Sequence, residues 1–391
     1  MELEIYHYSL CVSLTLLLFF SFRFLFGKLP DKQIFRQYRI SRMLMGIALL
    51  DLAANYSVHL FLTPRLAAPI NAILMNLCTY WLAVWLFGSA LMMLLDKRYV
   101  TRKRFIRHIA GWMAYCIVVL ILWCYVPSSL LYSIVPILLA VAFCVYAVGV
   151  AHKVFATFRK ATCKLDNYYS DDAAVYIRWM SVFTYWAIVF GVGQGIFTFV
   201  PDRYVYLWII SAIPFYIYLY VSYANYLLMY EHVADAINTY EDKEEYDIEN
   251  VVENRDRDNG QTISSTTRIS KQQEEMLKSN IQKWIDDKEF TKGGLTIEDI
   301  ARQTASNRTY VSHFVNTHYG MSFREWINYL RLQYAKDIML KSPDKSVADI
   351  ALESGYCCLC KSCFHGFYNF AEHLIIRYPR TLYSSMRISE I

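Results

Sequence analysis

The chain has 391 residues, of which 56% are hydrophobic and 16% aromatic, and its mean hydropathy is positive. These values are high for a soluble protein, and the length allows two or three domains. The formal net charge of +5 is too small to mark a strongly basic nucleic-acid-binding protein.

Seven apolar stretches in the first 230 residues are each long enough to cross a bilayer, which takes about 20 residues. They lie near 6–26, 40–62, 70–95, 106–126, 130–152, 174–199 and 204–230. The first follows MELEIYH, which lacks the basic start of a cleavable signal peptide, so we expect it to remain as a helix. Residues 1–230 are therefore predicted to form a seven-span anchor or sensor domain.

The charges of the connecting loops predict how this domain is oriented. Basic residues are concentrated in the first, third and fifth loops: Lys28, Lys32, Arg36, Lys97, Arg98, Arg102, Lys103, Arg104, Lys153, Arg159, Lys160 and Lys164. The other loops carry only Arg65 and Arg203. Because positively charged short loops stay in the cytoplasm, the N-terminus is predicted outside and the C-terminus in the cytoplasm, across the inner (cytoplasmic) membrane of the cell.

Three polar residues stand out within the second predicted span. Asp51, Asn55 and His59 follow one another at intervals of four and share one helix face. A carboxylate at membrane depth is costly unless it is paired or faces a cavity. The three side chains could form a ligand- or proton-sensing pocket, or they could only bond neighbouring helices.

The polarity of the chain changes abruptly after the seventh stretch. Residues 231–270 are acidic and poor in apolar side chains, which predicts a flexible or partly helical tether. From Lys271 the apolar spacing indicates an introductory helix of a C-terminal domain that covers residues 271–391.

The stretch beginning at Leu295 has the pattern of two short helices with a tight break between them. Thr296 with Asp299 resembles a capping box, and Asn307 is a suitable N-cap for the second helix. The buried face of the first helix is predicted to contain Ile297, Ile300 and Ala301, and that of the second Tyr310, Val311 and Phe314. An ordinary amphipathic hairpin and a helix-turn-helix would both show this pattern.

In a helix-turn-helix, the second helix would enter the major groove of DNA. Its outward face would carry Arg308, Thr309, Ser312 and His313 for base reading, while Asn316 would contact phosphate. A long helix is predicted from Ser322 to about Lys341, and SVADIALESGY then repeats the pattern of TIEDIARQTAS. Two such units joined by one long helix favour the DNA-binding interpretation.

The region from about 270 to 356 resembles the DNA-binding domain of AraC/XylS-family transcription regulators. The residues that carry the resemblance are Ala301, Arg308, Tyr310, Ser312, Gly320, Met321, Ser322, Phe323, Asn328, Arg331, Leu332, Ala335, Lys336, Ile350, Ala351 and Gly355. The resemblance implies an all-α double helix-turn-helix domain with two recognition helices about one turn of DNA apart.

The chain departs from the family pattern after Tyr356, where it reads CCLCKSCFHGF. We interpret this tail as divergent or shifted in reading frame, a hypothesis that the nucleotide sequence would test. Its four cysteines and His365 could bind a metal, but their spacing matches none of the usual paired motifs. We therefore predict no metal, no cofactor and no enzymatic activity.

Together these patterns predict an all-α, membrane-anchored, sequence-specific transcription regulator that couples a membrane or extracellular signal to promoter binding. Its expected partners are promoter DNA, the lipid bilayer, a second copy of the chain in a homodimer, and an unidentified small-molecule or membrane signal. The alternative is a seven-helix transporter or receptor whose C-terminal tail has lost DNA binding and serves only in protein interaction.

Overall fold

A computed structural model of the protein describes residues 2–356, except 100, 127–129, 131–133, 198, 200–203, 258–270 and 343. Its α-helices are α1 (Glu2–Phe26), α2 (Arg36–Phe61), α3 (Pro64–Ala67), α4 (Pro69–Leu95), α5 (Arg102–Tyr125), α6 (Val135–Asp166), α7 (Arg178–Phe197), α8 (Val205–Arg257), α9 (Lys271–Asp286), α10 (Ile297–Gln303), α11 (Arg308–Tyr319), α12 (Phe323–Lys341) and α13 (Val347–Glu353). Short 3-10 turns occupy Gln33–Phe35, Ala173–Tyr176 and Glu289–Thr291. The described residues contain no β-strand, so the predicted all-α fold is confirmed.

Internal contacts divide the chain into two units. The first consists of Met1–Ala161 and Tyr176–Asn238, and the second of Thr162–Val175 together with the chain from Thr239 onward. The second unit thus includes the last residues of α6 and part of the loop between α6 and α7. The sequence-based division, with one boundary at residue 230, had assigned that loop to the membrane domain.

Six helices in the described part of the chain are long and apolar enough to cross a bilayer. They run over Glu4–Phe26, Gln33–Phe61, Pro69–Leu95, Arg102–Tyr125, Val135–Asp166 and Val205–Ala234. Helix α7 lies where the sixth of the seven predicted spans was placed, but it is not among these six. The count of seven therefore stays a prediction.

Many large apolar side chains of the first unit point outward. Leu120 on α5 is 57% exposed, and Leu138 and Val145 on α6 are 62% and 69% exposed. Water would make such a surface costly, whereas the hydrocarbon of a bilayer would solvate it. Helices suit that environment because they satisfy all of their own backbone hydrogen bonds.

Arg42 fixes the junction between α1 and α2. Its guanidinium donates hydrogen bonds to the carbonyl oxygens of Arg23 (2.9 Å), Phe24 (2.8 Å) and Gly27 (3.1 Å). These carbonyls lie at the C-terminal end of α1, where intrahelical partners run out and the helix dipole is negative. The buried cation thus caps α1 and finds its own hydrogen-bond acceptors there.

A buried hydroxyl network joins α2 to α4 and α8. The Tyr38 hydroxyl donates to the carbonyl of Tyr223 at 2.7 Å, and the Ser41 hydroxyl donates to the carbonyl of Ala90 at 2.6 Å. Ser41 also lies 2.6 Å from the Tyr223 hydroxyl. These bonds supply partners for polar groups that would be costly in an apolar interior.

The second unit contains helices α9 to α13. Helix α9 buries Leu277, Ile281 and Trp284, and Trp284 stacks on Trp326 of α12 with ring centroids 5.9 Å apart. The predicted introductory helix is therefore present and packs on the rest of the unit. Helix α8 continues to Arg257, so the first part of the predicted tether is helical, while its residues 258–270 lie outside the described part of the chain.

Candidate nucleic-acid interface

Helices α10 and α11 form the predicted pair, and their ends are capped as the sequence indicated. The Thr296 hydroxyl accepts from the Asp299 amide at 3.2 Å, and Asp299 accepts from the Thr296 amide at 3.0 Å. The Asn307 side chain accepts from the Tyr310 amide at 2.9 Å. These side chains pair amide groups that the first turn of a helix leaves free, and so they fix where each helix begins.

The inward faces of the two helices also agree with the pattern. The fully or nearly fully buried residues are Ile297, Ile300, Ala301, Val311, Phe314 and Val315, while Tyr310 is half-buried. Between the helices, Ala305 adopts a positive φ of 51° and the Ser306 amide donates to the Ala301 carbonyl at 2.8 Å. This tight turn sets α11 at an angle to α10, as a recognition helix requires.

The proposed base-reading residues differ in how much of each side chain is accessible. His313 and Asn316 are exposed, and Thr309 and Ser312 are half-buried. The Asn316 amide lies 3.5 Å from the Ser312 hydroxyl, one helical turn back. These four residues share the open side of α11, and their contact with DNA stays a prediction.

Arg308 is placed differently from the other four. It is the first residue of α11 and is only 6% exposed, whereas the sequence placed it on the outward face. The expected exposure is therefore wrong for this structure, because Arg308 lies at the i, i+3, i+7 spacing of one helix face with the buried Val311 and Val315. Tyr168 approaches Arg308 closely enough for the guanidinium to affect the phenol.

The segment 162–175, which we call the docking loop, packs against the start of α10. An antiparallel bridge pairs Tyr169 with Thr296. The Ser170 amide donates to the Leu295 carbonyl at 2.9 Å, and the Ile297 amide donates to the Tyr168 carbonyl at 3.0 Å. This pairing joins backbone atoms directly, so it depends little on which side chains are present.

Carboxylates of the docking loop meet two arginines of α12. Arg324 lies 3.0 Å from Asp166 and 3.3 Å from Asp172, whose side chain is only 5% exposed. Arg331, with 1% of its side chain exposed, lies 3.3 Å from Asp171. The two Arg324 pairs are little exposed and therefore less screened by salt than ordinary surface ion pairs, whereas Asp171 is 40% exposed.

Arg331 also orders the chain just before α10. Its guanidinium donates to the carbonyls of Phe290 at 2.9 Å and Lys292 at 2.8 Å. Asp171 in turn accepts from the Gly294 amide at 3.0 Å. One arginine and one aspartate thus connect α12, the docking loop and the turn before α10.

The Tyr168 side chain completes the contact with α10 and α11. Burial raises the pKa of its hydroxyl, and the neighbouring Glu298 carboxylate, to which the hydroxyl donates a hydrogen bond, raises it further. The Arg308 guanidinium acts in the opposite direction and lowers that pKa. The phenol therefore lies beside Glu298 of α10 and within electrostatic reach of Arg308, the first residue of α11.

The second helix-turn-helix is described only in its first half. A small core contains Ala335, Ile338, Met339, Ile350, Ala351 and Tyr356, with Val347 packed against it. Gly355 has a positive φ of 88°, and a Cβ there would lie 2.4 Å from the Thr291 carbonyl oxygen. The second recognition helix and the cysteine cluster would follow, and both lie outside the described residues.

In the first unit, Asn55 and His59 converge on Asn76 of α4. The Asn55 amide donates to the Asn76 side-chain oxygen at 3.0 Å, and His59 Nε2 lies 2.8 Å from the same oxygen. Asp51 is half-buried, and its Oδ2 has no hydrogen-bond partner among the described residues. The helix-bonding alternative thus accounts for two of the three residues, and a sensing role stays a prediction.

An apolar cavity in the first unit lies among α2, α4, α6, α7 and α8. Sequence reasoning did not predict it. Its walls are largely apolar and aromatic, and they include Phe87, Phe183, Trp208 and Phe215. None of the three polar residues singled out in α2 lines it. Within the described part of the chain, no group of three or more His, Cys, Asp or Glu residues could hold a metal ion.

The capped helix pair, its tight turn and the long helix after it form a helix-turn-helix arrangement, a fold that commonly binds DNA. Residues 300–361 match the family model described as a helix-turn-helix domain, and the domain is of the AraC type. No curated protein and no solved structure matches the chain. The C-terminal region is thus an AraC-type helix-turn-helix domain, which supports a DNA-binding transcription regulator.

Proposed function

We propose that this regulator works while anchored in a membrane and recognises its promoter through α11. The observation that carries the proposal is the capped α11 of an AraC-type domain, with His313 and Asn316 exposed on one side. Thr309 and Ser312 lie beside them for base-edge or phosphate contacts. Arg308 would join these residues on DNA once its side chain is uncovered.

In this proposal, residues 1–230 form the anchor and sensor, 231–270 the tether, and 271–391 the DNA-binding domain. The N-terminus lies outside the inner membrane and the C-terminus in the cytoplasm. Two independent observations support this orientation. The fifth loop is one of the three basic loops, and part of that loop belongs to the same structural unit as the DNA-binding helices.

The orientation is tested by protease treatment of full-length protein that carries one epitope at each end. In intact spheroplasts we expect protease to remove the N-terminal epitope and spare the C-terminal one. In inverted membrane vesicles the pattern should reverse. Loss of the C-terminal epitope from intact spheroplasts would contradict a cytoplasmic DNA-binding domain.

DNA reading is tested by genome-wide crosslinking of the full-length protein beside a His313→Ala/Asn316→Ala variant. Both side chains are exposed, so the variant should fold and insert normally. Loss of the His313 base contact, worth about 1–3 kcal/mol, together with the Asn316 phosphate contact would weaken promoter occupancy at least about fivefold. The matched control is Ser279→Ala, an exposed change on α9 that should leave the peaks intact.

The outcomes of this experiment separate the two candidate functions. Discrete peaks that disappear only in the α11 variant would support a promoter-reading regulator. Peaks that persist in that variant would contradict base reading by α11. A well-expressed protein with no peaks would favour a transporter or receptor whose tail serves only in protein interaction.

Signal sensing is the part of the proposal for which the structure supplies the least support. Asp51 is the polar candidate because its Oδ2 is buried without a hydrogen-bond partner among the described residues. An Asp51→Asn protein that inserts normally should respond less to the stimulus. A full response would exclude Asp51 from sensing and direct attention to the apolar cavity. Assembly of two copies into a homodimer would be measured in the same membranes by chemical crosslinking.

A further inference from the structure

The docking loop packs on the start of α10, the first helix of the pair that would meet DNA. The phenol of Tyr168 donates to Glu298 of α10 within electrostatic reach of Arg308, the first residue of α11, and Arg308 is almost entirely buried. Base contacts in a helix-turn-helix come mainly from the N-terminal part of the recognition helix. A buried Arg308 cannot extend to a base edge or a phosphate.

The charges of the docking loop act in the same direction. Asp166, Asp171 and Asp172 are held against Arg324 and Arg331. A DNA phosphate approaching Arg324 would meet two carboxylates that already occupy its guanidinium, and the partly exposed charge of Asp171 lies on the same segment. Like charges facing one another would add repulsion between the loop and the DNA backbone.

We propose that the docking loop competes with DNA for the helix-turn-helix domain. While the loop is docked, the domain cannot bind a promoter. Release of the loop uncovers Arg308. The inference rests on the proposed function, because it assumes that α11 reads DNA. The partner of this surface is therefore a segment of the same chain. Asp166 is also the last residue of α6, so movement at that end of α6 would move one carboxylate partner of Arg324 directly.

The competition has a simple quantitative form. If only a fraction of molecules has the loop released, the observed DNA affinity falls by that same fraction. A protein docked about nine-tenths of the time would bind DNA about tenfold more weakly than a fully released one. Locking the loop down should therefore weaken binding, and loosening it should strengthen binding up to this limit.

The first test locks the loop with a disulfide between Tyr169→Cys and Thr296→Cys. The two residues form a non-hydrogen-bonded antiparallel pair, in which Cα atoms lie about 4.5 Å apart. This spacing is within the range of disulfides. The probe is duplex DNA enriched from a randomised library by the reduced, full-length protein in detergent, and mass spectrometry verifies the crosslink.

We expect the oxidised double variant to bind this DNA at least about tenfold more weakly than the same protein after reduction. The Tyr169→Cys and Thr296→Cys single variants should be insensitive to oxidation, which controls for the native cysteines and for the altered cap. Equal binding by the crosslinked and reduced forms would overturn the competition alone. A reduced protein that enriches no DNA would overturn the proposed function and, with it, this inference.

The second test loosens the loop with Asp166→Asn/Asp172→Asn, which preserves side-chain volume and removes both carboxylate partners of Arg324. The matched control is Asp337→Asn/Asp344→Asn, which removes two negative charges from exposed positions of the same unit. Both variants gain the same nonspecific attraction to DNA. We expect at least about fivefold tighter binding by the loop variant than by the control, and equal binding would contradict the role of the loop.

Discussion

Arg331→Met is expected to loosen the DNA-binding unit far more than a typical arginine substitution. The side chain is 1% exposed and donates to the carbonyls of Phe290 and Lys292 while pairing with Asp171. Methionine fills a similar volume but leaves both carbonyls without this donor. A buried polar group that loses its partner costs about 1–3 kcal/mol. Asp171 is 40% exposed, so water can solvate much of its charge and its loss adds little.

At about 1.5 kcal/mol for each of the two carbonyls, the loss sums to about 3 kcal/mol. This corresponds to about a 150-fold larger equilibrium constant for local opening of the unit. The assay is amide hydrogen exchange, read by mass spectrometry on peptides from α12 and from the turn before α10 in the full-length protein. The matched control is Arg302→Met, whose side chain is 80% exposed and lies 3.7 Å from Asp299. Such a pair contributes less than about 1 kcal/mol, so its removal should change exchange less than about fivefold.

The result that would refute this reasoning is equal protection in the two variants. Exchange in Arg331→Met within about threefold of the unsubstituted protein would mean that water replaces the guanidinium at both carbonyls. Faster exchange restricted to the docking loop would assign the arginine to loop binding alone. Arg331→Lys should fall between these extremes, because an ammonium retains the charge without the planar fork that reaches two carbonyls at once.

Two further predictions concern the same unit. Gly355→Ala should destabilise this unit by at least about 2 kcal/mol, because the added Cβ would clash with the Thr291 carbonyl. Gly320 also has a positive φ but lies in open space, so Gly320→Ala should cost only about 1 kcal/mol. Hydrogen exchange would measure the difference, and equal effects would contradict the clash. Backbone and side-chain hydrogen bonds from Ser322 lower the pKa of Glu325 from its usual 4.5. Its stabilisation of α12 should be present at about pH 7 and lost as the pH falls below 4.5 through the lowered pKa, so Glu325→Gln should lower protection only at the higher pH.

The local features of the DNA-binding unit could be predicted from sequence because short-range chemistry determines them. Thr296, Asn307 and Ser322 cap the helices at the expected positions. Each cap joins groups only three residues apart, so a single window of sequence contains both partners. The buried Ile300 and Ala301 follow from helical periodicity in the same way.

The docking of Tyr168 near Arg308 could not be predicted in this way because the two residues are 140 positions apart in the chain. Arg308 was predicted on the outward face of α11, whereas it lies three and seven positions before the buried Val311 and Val315, a spacing that puts all three on one helix face. A signal was present in the sequence. The fifth loop was read for its basic residues, whereas Asp166, Asp171 and Asp172 in the same loop are the residues that contact the DNA-binding helices.

The polar residues of α2 show a similar limit. Their spacing correctly placed Asn55 and His59 on one face, but the partner that joins them, Asn76, belongs to a different helix. Pairing between helices depends on how the helices pack, which one sequence does not specify. The apolar cavity of the first unit was missed for the same reason, since five helices contribute its walls.

The unit that contains the DNA-binding helices is assembled from two separated pieces of chain, 162–175 and the segment from Thr239 onward. During synthesis the ribosome makes the first piece, then α7 and the apolar part of α8, and only afterwards the helices on which that piece docks. The bridge between Tyr169 and Thr296 therefore cannot form until the last membrane segments have left the ribosome. A fragment that starts at Lys271 would lack Asp166, Asp171 and Asp172, and its behaviour would describe a domain that the intact chain completes only after its membrane part has been made.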